Sequence, residues 1–392
     1  MNACKHLALA LVSAVTAGGA IAQDIKLGFM CPLTGGSAPF GVSARDGAAL
    51  AVKEVNAQGG VLGRKLALVE RDTESKNERG VQLAQELIQK EKVVAGIGFC
   101  NTGVSLAAQK YFQEARIPVF DPVATGTAVT RQFPAPSYVF RVGPRDELQA
   151  QMLVDEALRQ KKTKVAILAD STNYGQLGRE DVEKALKAKG MKPVTVEKFN
   201  VRDVDMTPQL LKARQAGADI VVAYGIGPEL AQIANSMAKL GWKVPLVTSW
   251  NSAMSNFIDT AQINGNGVRM PQTFIQEASD PRKQAFIANY ARDYKLERIP
   301  SPSSAAQAYD AILLLAAAMQ QAGSVDGVKV REALEQLRQP VAGVIGTYER
   351  PFDANVRDAT GASMIVWGEV RDGRVVYAYA QERAAGAAAS PK

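Results

Sequence analysis

Two glycine-containing segments carry hydroxyl and amide groups directly after predicted strands. Residues 98–103 read GFCNTG, and residues 121–127 read DPVATGT. In an open parallel sheet, ligands bind at the carboxyl ends of the strands, where the next helix presents unpaired N–H groups and the positive end of its dipole. With Asn101, Thr102 and Thr125, these N–H groups could hold a carboxylate by charge-assisted hydrogen bonds, each contributing about 1.5–3 kcal/mol.

The same residue types also cap helices, because a Thr or Asn side chain can accept a hydrogen bond from a free N–H of the first turn. For either segment alone, capping explains the residues as well as ligand binding does. Two such segments on strands that should be neighbours in the sheet favour a binding site for a small carboxylate-bearing ligand.

The residue composition excludes many kinds of catalytic and metal chemistry. The chain has one histidine, His6, and three cysteines, so we do not expect a histidine-based triad, a histidine metal site or a thiolate cage. We expect neither cofactor nor metal, and no enzyme activity. Asp121 and Asp170, at predicted strand ends, could act as acid and base, but capping or ligand binding accounts for them better.

Residues 1–22 have the pattern of a cleavable secretory signal. A basic start, an apolar run over 7–15 and a small-x-small site ending at Ala22 follow one another. The run is shorter than the roughly 20 residues that a membrane span needs, and Cys4 precedes it, which argues against a lipid anchor. We expect an exported, soluble periplasmic protein that starts at Gln23 and has no membrane anchor.

The charge of the chain gives little evidence for a macromolecular partner. The net charge is +7 over 392 residues, and the basic residues are spread along the chain. Nucleic-acid binders cluster Lys and Arg with exposed aromatic residues. We therefore expect no nucleic-acid partner, and we expect a monomer.

Strand and helix patterns alternate along the chain and then restart, which suits two lobes because 392 residues are too many for one ordinary core. The first series predicts strands over 25–30, 66–70, 93–99 and 117–121, and helices over 43–56, 78–90 and 104–115. The second predicts strands over 164–170, 194–199, 219–225 and 245–250, and helices over 178–189, from 207 and over 228–240. A mixed tail predicts helices over 281–294, 303–322 and 326–338, a strand over 348–352 and a hairpin over 364–379. The pattern predicts two doubly wound, mainly parallel α/β lobes.

Cys31 and Cys100 follow the first and third predicted strands, which are neighbours if the sheet order is 2-1-3-4. In an oxidising compartment they could form a disulfide at the rim of a cleft. The alternative is two free, half-buried thiols, because disulfide geometry is demanding.

Motifs over nearly all of the predicted mature chain match one protein family. They start with IKLGFMCPLTGGSAPFGVSARDGAALAVKEVNAQGGVLGRKLALVER and continue at 96–105, 120–130, 138–150, 164–178 and 220–246. They resemble the periplasmic leucine/isoleucine/valine-binding proteins, the type I solute-binding proteins of branched-chain amino-acid ABC importers. The resemblance implies two lobes joined by a three-crossover hinge. We assign 23–143 and 274–350 to lobe 1 and 144–273 and 351–383 to lobe 2, and expect 384–392 to be a disordered tail.

The resemblance also places first-lobe ligand contacts on this chain. The family's carboxylate-binding hydroxyls fall on Thr102 and Thr125. A backbone carbonyl contact falls on Val123, with Ala124 beside it, and the aromatic side chain of the family's first loop falls on Phe40.

Two second-lobe positions depart from the family. The family's second-lobe aromatic residue falls on Tyr174. At the position of a pocket tyrosine this chain has Ile226, and at the position of the acid that binds the ligand's ammonium it has Trp250. Loss of a buried charge partner costs about 2–5 kcal/mol, so we expect a ligand that lacks an α-amino group or has an aromatic or long apolar body. The alternative is that Trp250 belongs to the core and that another acid, Asp121 or Asp170, meets an ammonium.

Two functions fit such a clamp. In an importer, closure of the lobes buries the ligand and presents a closed surface to a membrane permease. In a periplasmic sensor, the same clamp reports to a membrane signalling receptor. The sequence favours the importer subunit, and neighbouring genes for a permease or a sensor kinase would separate the two.

Overall fold

The computed structural model describes residues 23–277 and 279–383. The predicted signal peptide, 1–22, and the predicted tail, 384–392, lie outside the described residues. The strands are β1 (Ile25–Cys31), β2 (Leu66–Asp72), β3 (Ala95–Gly98), β4 (Val119–Asp121), β5 (Val139–Arg141), β6 (Val165–Asp170), β7 (Thr195–Phe199), β8 (Ile220–Tyr224), β9 (Leu246–Thr248), β10 (Arg269–Gln272), β11 (Val341–Ala342), β12 (Thr347–Tyr348), β13 (Val366–Arg371) and β14 (Arg374–Tyr377).

The helices connect and cover these strands. They are α1 (Ala38–Ala57), α2 (Asn77–Glu86), α3 (Thr102–Ala115), α4 (Asp146–Arg159), α5 (Asn173–Ala188), α6 (Thr207–Gln215), α7 (Gly227–Lys239), α8 (Ser255–Ala261), α9 (Pro281–Tyr294), α10 (Pro302–Ala322) and α11 (Gly327–Glu335).

Two separate sheets form the centres of two lobes. The first sheet has the order β2-β1-β3-β4-β5 and is parallel throughout. The second runs β7-β6-β8-β9-β10 in parallel, and the antiparallel strands β13 and β14 extend it. The predicted fold class, with two doubly wound lobes, is confirmed.

The central strands are mainly apolar because helices cover both faces of each sheet. Every residue of β6 (VAILAD) and β8 (IVVAY) is buried, as expected for central strands of a parallel sheet with helices on both sides. Because Gly178 in α5 has no Cβ, this helix can approach β8 closely. A Cβ at that position would lie 2.1 Å from the ring of Tyr224.

Several predicted boundaries were wrong, for local reasons. Helix α1 begins at Ala38, not at 43, with Pro39 in its first turn, where the missing N–H costs nothing. Helix α5 begins at Asn173, not at 178, because the Thr172 hydroxyl caps it by accepting from the Gly175 N–H at 3.4 Å. The predicted strand over 348–352 is reduced to the two residues of β12.

The last third of the chain contributes to both lobes. Helices α9, α10 and α11 pack in the same core as β1 and α1. The ring of Phe352 lies 5.8 Å from that of Phe120 and 5.0 Å from that of Phe140 in the first sheet, while β13 and β14 join the second. The lobe boundaries given above stay a prediction.

No single described helix is long and apolar enough to cross a membrane; only α10 and α11 taken together reach that length and composition, and they are bent by 107°.

Candidate functional site

A cavity of about 700 Å³ lies between the two lobes at the carboxyl ends of both sheets. It brings together eight of the nine residues predicted to contact ligand: Phe40, Asn101, Thr102, Val123, Thr125, Tyr174, Ile226 and Trp250. The ninth, Ala124, does not line it. The side chain of Ala124 is buried in the first-lobe core, and its N–H and carbonyl hold the loop in place.

Three helices begin at the wall of this cavity. Asn101 immediately precedes α3, Tyr174 lies in the first turn of α5, and Ile226 immediately precedes α7. The side chains of Asn101 and Ile226 do not cap α3 and α7, and the Thr102 hydroxyl accepts from the Gly126 N–H at 3.2 Å. The helix N–H groups that face the cavity therefore offer the positive dipole ends that favour an anion.

Five cavity-lining side chains carry buried polar atoms without a hydrogen-bond partner among the described residues. They are Asn101 Oδ1, Thr125 Oγ1, Tyr174 Oη, Trp250 Nε1 and Asn251 Oδ1. A buried polar group that is left unpaired costs about 1–3 kcal/mol, and such groups are rare in folded proteins. A ligand with polar atoms at several positions would satisfy them.

A buried arginine holds the loop that carries Thr125 by hydrogen bonds to its carbonyl groups. Arg141 Nη1 donates to the carbonyl of Gly126 at 2.7 Å and to that of Ala124 at 3.3 Å. The same guanidinium pairs with Asp358 at 2.6 Å, and this pair holds the pKa of Asp358 below its usual range despite burial. Thr125 is therefore presented to the cavity on a rigid support.

The two acids considered as ammonium partners do not line the cavity. Asp121 accepts from the hydroxyl of Ser105 and from the Ala124 N–H, and burial raises its pKa to about 7. Asp170 accepts from the Thr172 N–H at 2.8 Å, and burial raises its pKa too. Both carboxyls organise strand ends.

The second-lobe wall is largely aromatic. Trp250 lines the cavity and is not a core residue alone; its ring packs against that of Phe40, with the two centroids 6.3 Å apart. Tyr174 packs on Tyr224 at 5.3 Å. These cavity-lining aromatic side chains suit a flat or branched apolar ligand body.

The lobes touch each other beside the cavity. Asn256 Nδ2 donates to the carbonyl of Gly36 at 2.8 Å, and the Thr127 hydroxyl donates to Asp181 at 2.7 Å. The cavity is thus bounded by contacts between lobes.

Cys31 and Cys100 form a disulfide, with Cα atoms 5.2 Å apart. It joins the last residue of β1 to Cys100, two residues before α3 begins, and Cys100 lines the cavity. The disulfide therefore fixes the start of α3 beside Asn101.

Sequence reasoning missed several cavity residues. Asn251 follows Trp250 directly and could have been found from that position. Glu229 is buried on α7, and one of its oxygens accepts from the Arg202 N–H at 2.7 Å. The outer cavity is lined by the loops 34–37, 74–78 and 201–204, whose sequences carry no ligand signal. No group of three or more metal-binding side chains occurs among residues 23–277 and 279–383.

Sequence comparison identifies the family. A model described as "Periplasmic binding protein" matches residues 24–365. The chain belongs to this family. The Leu/Ile/Val-binding protein homolog 1 of Brucella abortus (strain 2308) is 30% identical over 376 residues, which cover 94% of this chain and 97% of that protein. The resemblance drawn from the motifs is thereby confirmed.

Solved structures show the same fold for this binding protein. A branched-chain amino acid substrate-binding protein from Streptococcus pneumoniae, in complex with isoleucine, has a TM-score of 0.80 at 23% identity and covers 90% of this chain and 98% of its own. A solute-binding protein of an ABC transporter from R. palustris, in complex with benzoate, has a TM-score of 0.80 at 22% identity, covering 91% and 96%.

Proposed function

We propose that this protein is the periplasmic substrate-binding subunit of an ABC importer of the branched-chain amino-acid type, and that it clamps a small carboxylate between its lobes. The unpaired hydroxyl and indole N–H groups of Thr125, Tyr174 and Trp250 at the cavity carry this proposal, because each can donate to a carboxylate. Relatives named as transporter components support the importer role, and a membrane permease would be the partner.

The first-lobe wall suits the carboxylate. The hydroxyl of Thr125 has no partner of hydrogen-bonding geometry among the described residues, and the Asn101 side chain does not cap the N–H groups at the start of α3. Donors fixed in a cavity before the ligand arrives lose little entropy on binding. Each charge-assisted hydrogen bond would contribute about 1.5–3 kcal/mol.

The second-lobe wall suits a ligand without an α-amino group. Trp250 stands where the family has an acid for the ammonium, and its indole N–H is a donor that would repel one. Neither Asp121 nor Asp170 lines the cavity; Glu229 does, and one of its oxygens accepts from the Arg202 N–H. A keto acid with a branched body or an aromatic acid fits these walls.

A thermal-unfolding panel tests this proposal. Residues 23–392 would be unfolded and refolded under oxidising conditions to remove carried-over ligand, then tested with leucine, 4-methyl-2-oxopentanoate, benzoate and succinate. A ligand at about 100 times its Kd stabilises the fold by about 2.7 kcal/mol, which raises Tm by a few degrees. We expect the keto acid or benzoate to raise Tm and leucine not to.

The variant Trp250→Glu tests the specificity, with Trp242→Glu as control, because Trp242 does not line the cavity. We expect W250E to gain affinity for leucine relative to the keto acid, and W242E to keep the wild-type preference. An unchanged preference in W250E would exclude Trp250 as the determinant.

A further inference from the structure

The main chain of Trp250 is held from both sides by buried glutamines. The Trp250 N–H donates to Gln149 Oε1 at 3.3 Å, and the Trp250 carbonyl accepts from Gln272 Nε2 at 2.8 Å. Gln149 is fully buried and Gln272 is 1% exposed. Trp250 itself begins a single 3-10 turn, Trp250–Ala253. So short a turn constrains its first residue weakly, and its orientation therefore depends on these two side chains.

The bond to Gln149 continues to the opposite wall of the cavity. Gln149 Nε2 donates to Asp146 Oδ1 at 2.9 Å, and the Asp146 N–H donates to the carbonyl of Thr125 at 2.8 Å. A continuous chain of hydrogen bonds thus runs from Trp250, through the start of α4, to the predicted carboxylate-binding residue of the first lobe.

The bond to Gln272 also leads into the first lobe. Gln272 Oε1 accepts from the hydroxyl of Ser303 at 2.8 Å, and Ser303 lies in the first turn of α10, which packs against α1. Both glutamines therefore connect Trp250 to segments where the chain passes between lobes.

We propose that Gln149 and Gln272 are positioning residues that hold the Trp250 indole in the cavity wall and so determine which carboxylates the site accepts. The claim that they determine which carboxylates bind rests on the proposed function. The glutamines do not line the cleft cavity and act only through Trp250. Removal of either amide leaves a buried Trp250 main-chain group unpaired, and the turn relieves this by moving.

The emission of Trp250 tests the positioning without any ligand. In a W242F/W367F background, Trp250 is the only tryptophan of the three in the chain. We expect Gln149→Met to shift the emission of the ligand-free protein to longer wavelength, because the indole gains contact with water. The control is Gln109→Met, which removes a fully buried amide on α3 that donates to the Val129 carbonyl at 2.8 Å; it should leave the emission unchanged.

Binding of two probes tests the effect on specificity. We expect Q149M to lower the ratio of the affinity for 4-methyl-2-oxopentanoate to the affinity for leucine by roughly tenfold, which is the effect of one lost hydrogen bond. The control Q109M should keep the wild-type ratio. Gln272→Met serves as the second variant, with the same expectations, where Q149M does not fold.

The outcomes separate the two proposals. A folded Q149M or Q272M with wild-type emission and a wild-type affinity ratio would overturn the positioning role. If the unsubstituted protein binds neither probe, the proposed ligand class fails, and the emission comparison still decides whether the glutamines hold Trp250.

Discussion

Asp146 is a fully buried carboxyl at the start of α4. One oxygen accepts from Gln149, and the other has no partner of good geometry among the described residues. Burial, against the lowering effect of the Thr125 hydroxyl, raises the pKa of Asp146 to about 7; the nearby Asp181 contributes to the rise and Arg141 opposes it. Asp146 is therefore largely protonated in the folded protein at mildly acidic pH, where the unfolded chain has lost this proton.

The raised pKa predicts that the protein loses stability as pH rises. The folded state binds the Asp146 proton up to about pH 7, whereas the unfolded state releases it near pH 4. Between pH 5.5 and 8 this one group would lower the free energy of unfolding by about 2 kcal/mol. Asp121, also raised to about 7 by burial, acts in the same direction.

Denaturant unfolding at pH 5.5 and 8.0 checks this expectation with Asp146→Asn, which keeps the acceptor for Gln149 but cannot titrate. The decrease in stability between the two pH values should be smaller in D146N than in the wild type. An equal decrease would show that Asp146 does not titrate in this range.

At the residue scale, the sequence predicted the cavity-lining residues that follow strands directly, but not those that lie on the outer loops. Thr102, Thr125 and Tyr174 line the cavity because each follows a parallel strand closely. Ala124 does not line the cavity; residue spacing alone does not show which side chain of a loop points inward. The outer loops, such as 201–204, approach through tertiary packing, which has no local sequence signature.

At the element scale, the site depends on where helices begin. The first turns of α3, α5 and α7 meet at one cavity because parallel strands of both sheets end there. The order 2-1-3-4, on which the predicted proximity of Cys31 and Cys100 depended, is the order that the first four strands have. Helix α4 and strand β10 were not predicted: β10 (RMPQ) is short, and its proline and arginine lack a strand pattern.

The disulfide fixes one of these helix starts and closes a chain separation of 69 residues. Removal of such a cross-link typically costs about 2–4 kcal/mol, because the unfolded chain regains freedom. We expect Cys31→Ser/Cys100→Ser to be destabilised by that amount in guanidinium unfolding, and to bind carboxylates more weakly because Asn101 follows Cys100.

Dithiothreitol provides the control for this prediction. It should destabilise the wild type towards the level of the double variant and leave the double variant unchanged. Equal stability of wild type and double variant without reductant would contradict a stabilising role for the disulfide.

At the scale of the whole molecule, two lobes of the same strand order enclose one cavity. The restart of the strand–helix pattern predicted this architecture, and family membership supports it. Ion pairs between residues far apart in the sequence could not be predicted. Arg141 and Asp358 are 217 residues apart, and only folding brings them together. Contacts such as Thr127 with Asp181 connect the lobes and would form or break as the lobes move.

Calorimetric titration of ligand-stripped protein with 4-methyl-2-oxopentanoate and benzoate, in wild type and in Thr125→Val, tests the carboxylate clamp most directly. We predict binding of one ligand per chain to the wild type, and at least about tenfold weaker binding to T125V, because one charge-assisted hydrogen bond is lost. The control Thr260→Val, an exposed position on α8, should bind as the wild type does. Failure of both acids to bind, or wild-type affinity in T125V, would contradict a carboxylate site at the start of α3 and the Thr125 loop.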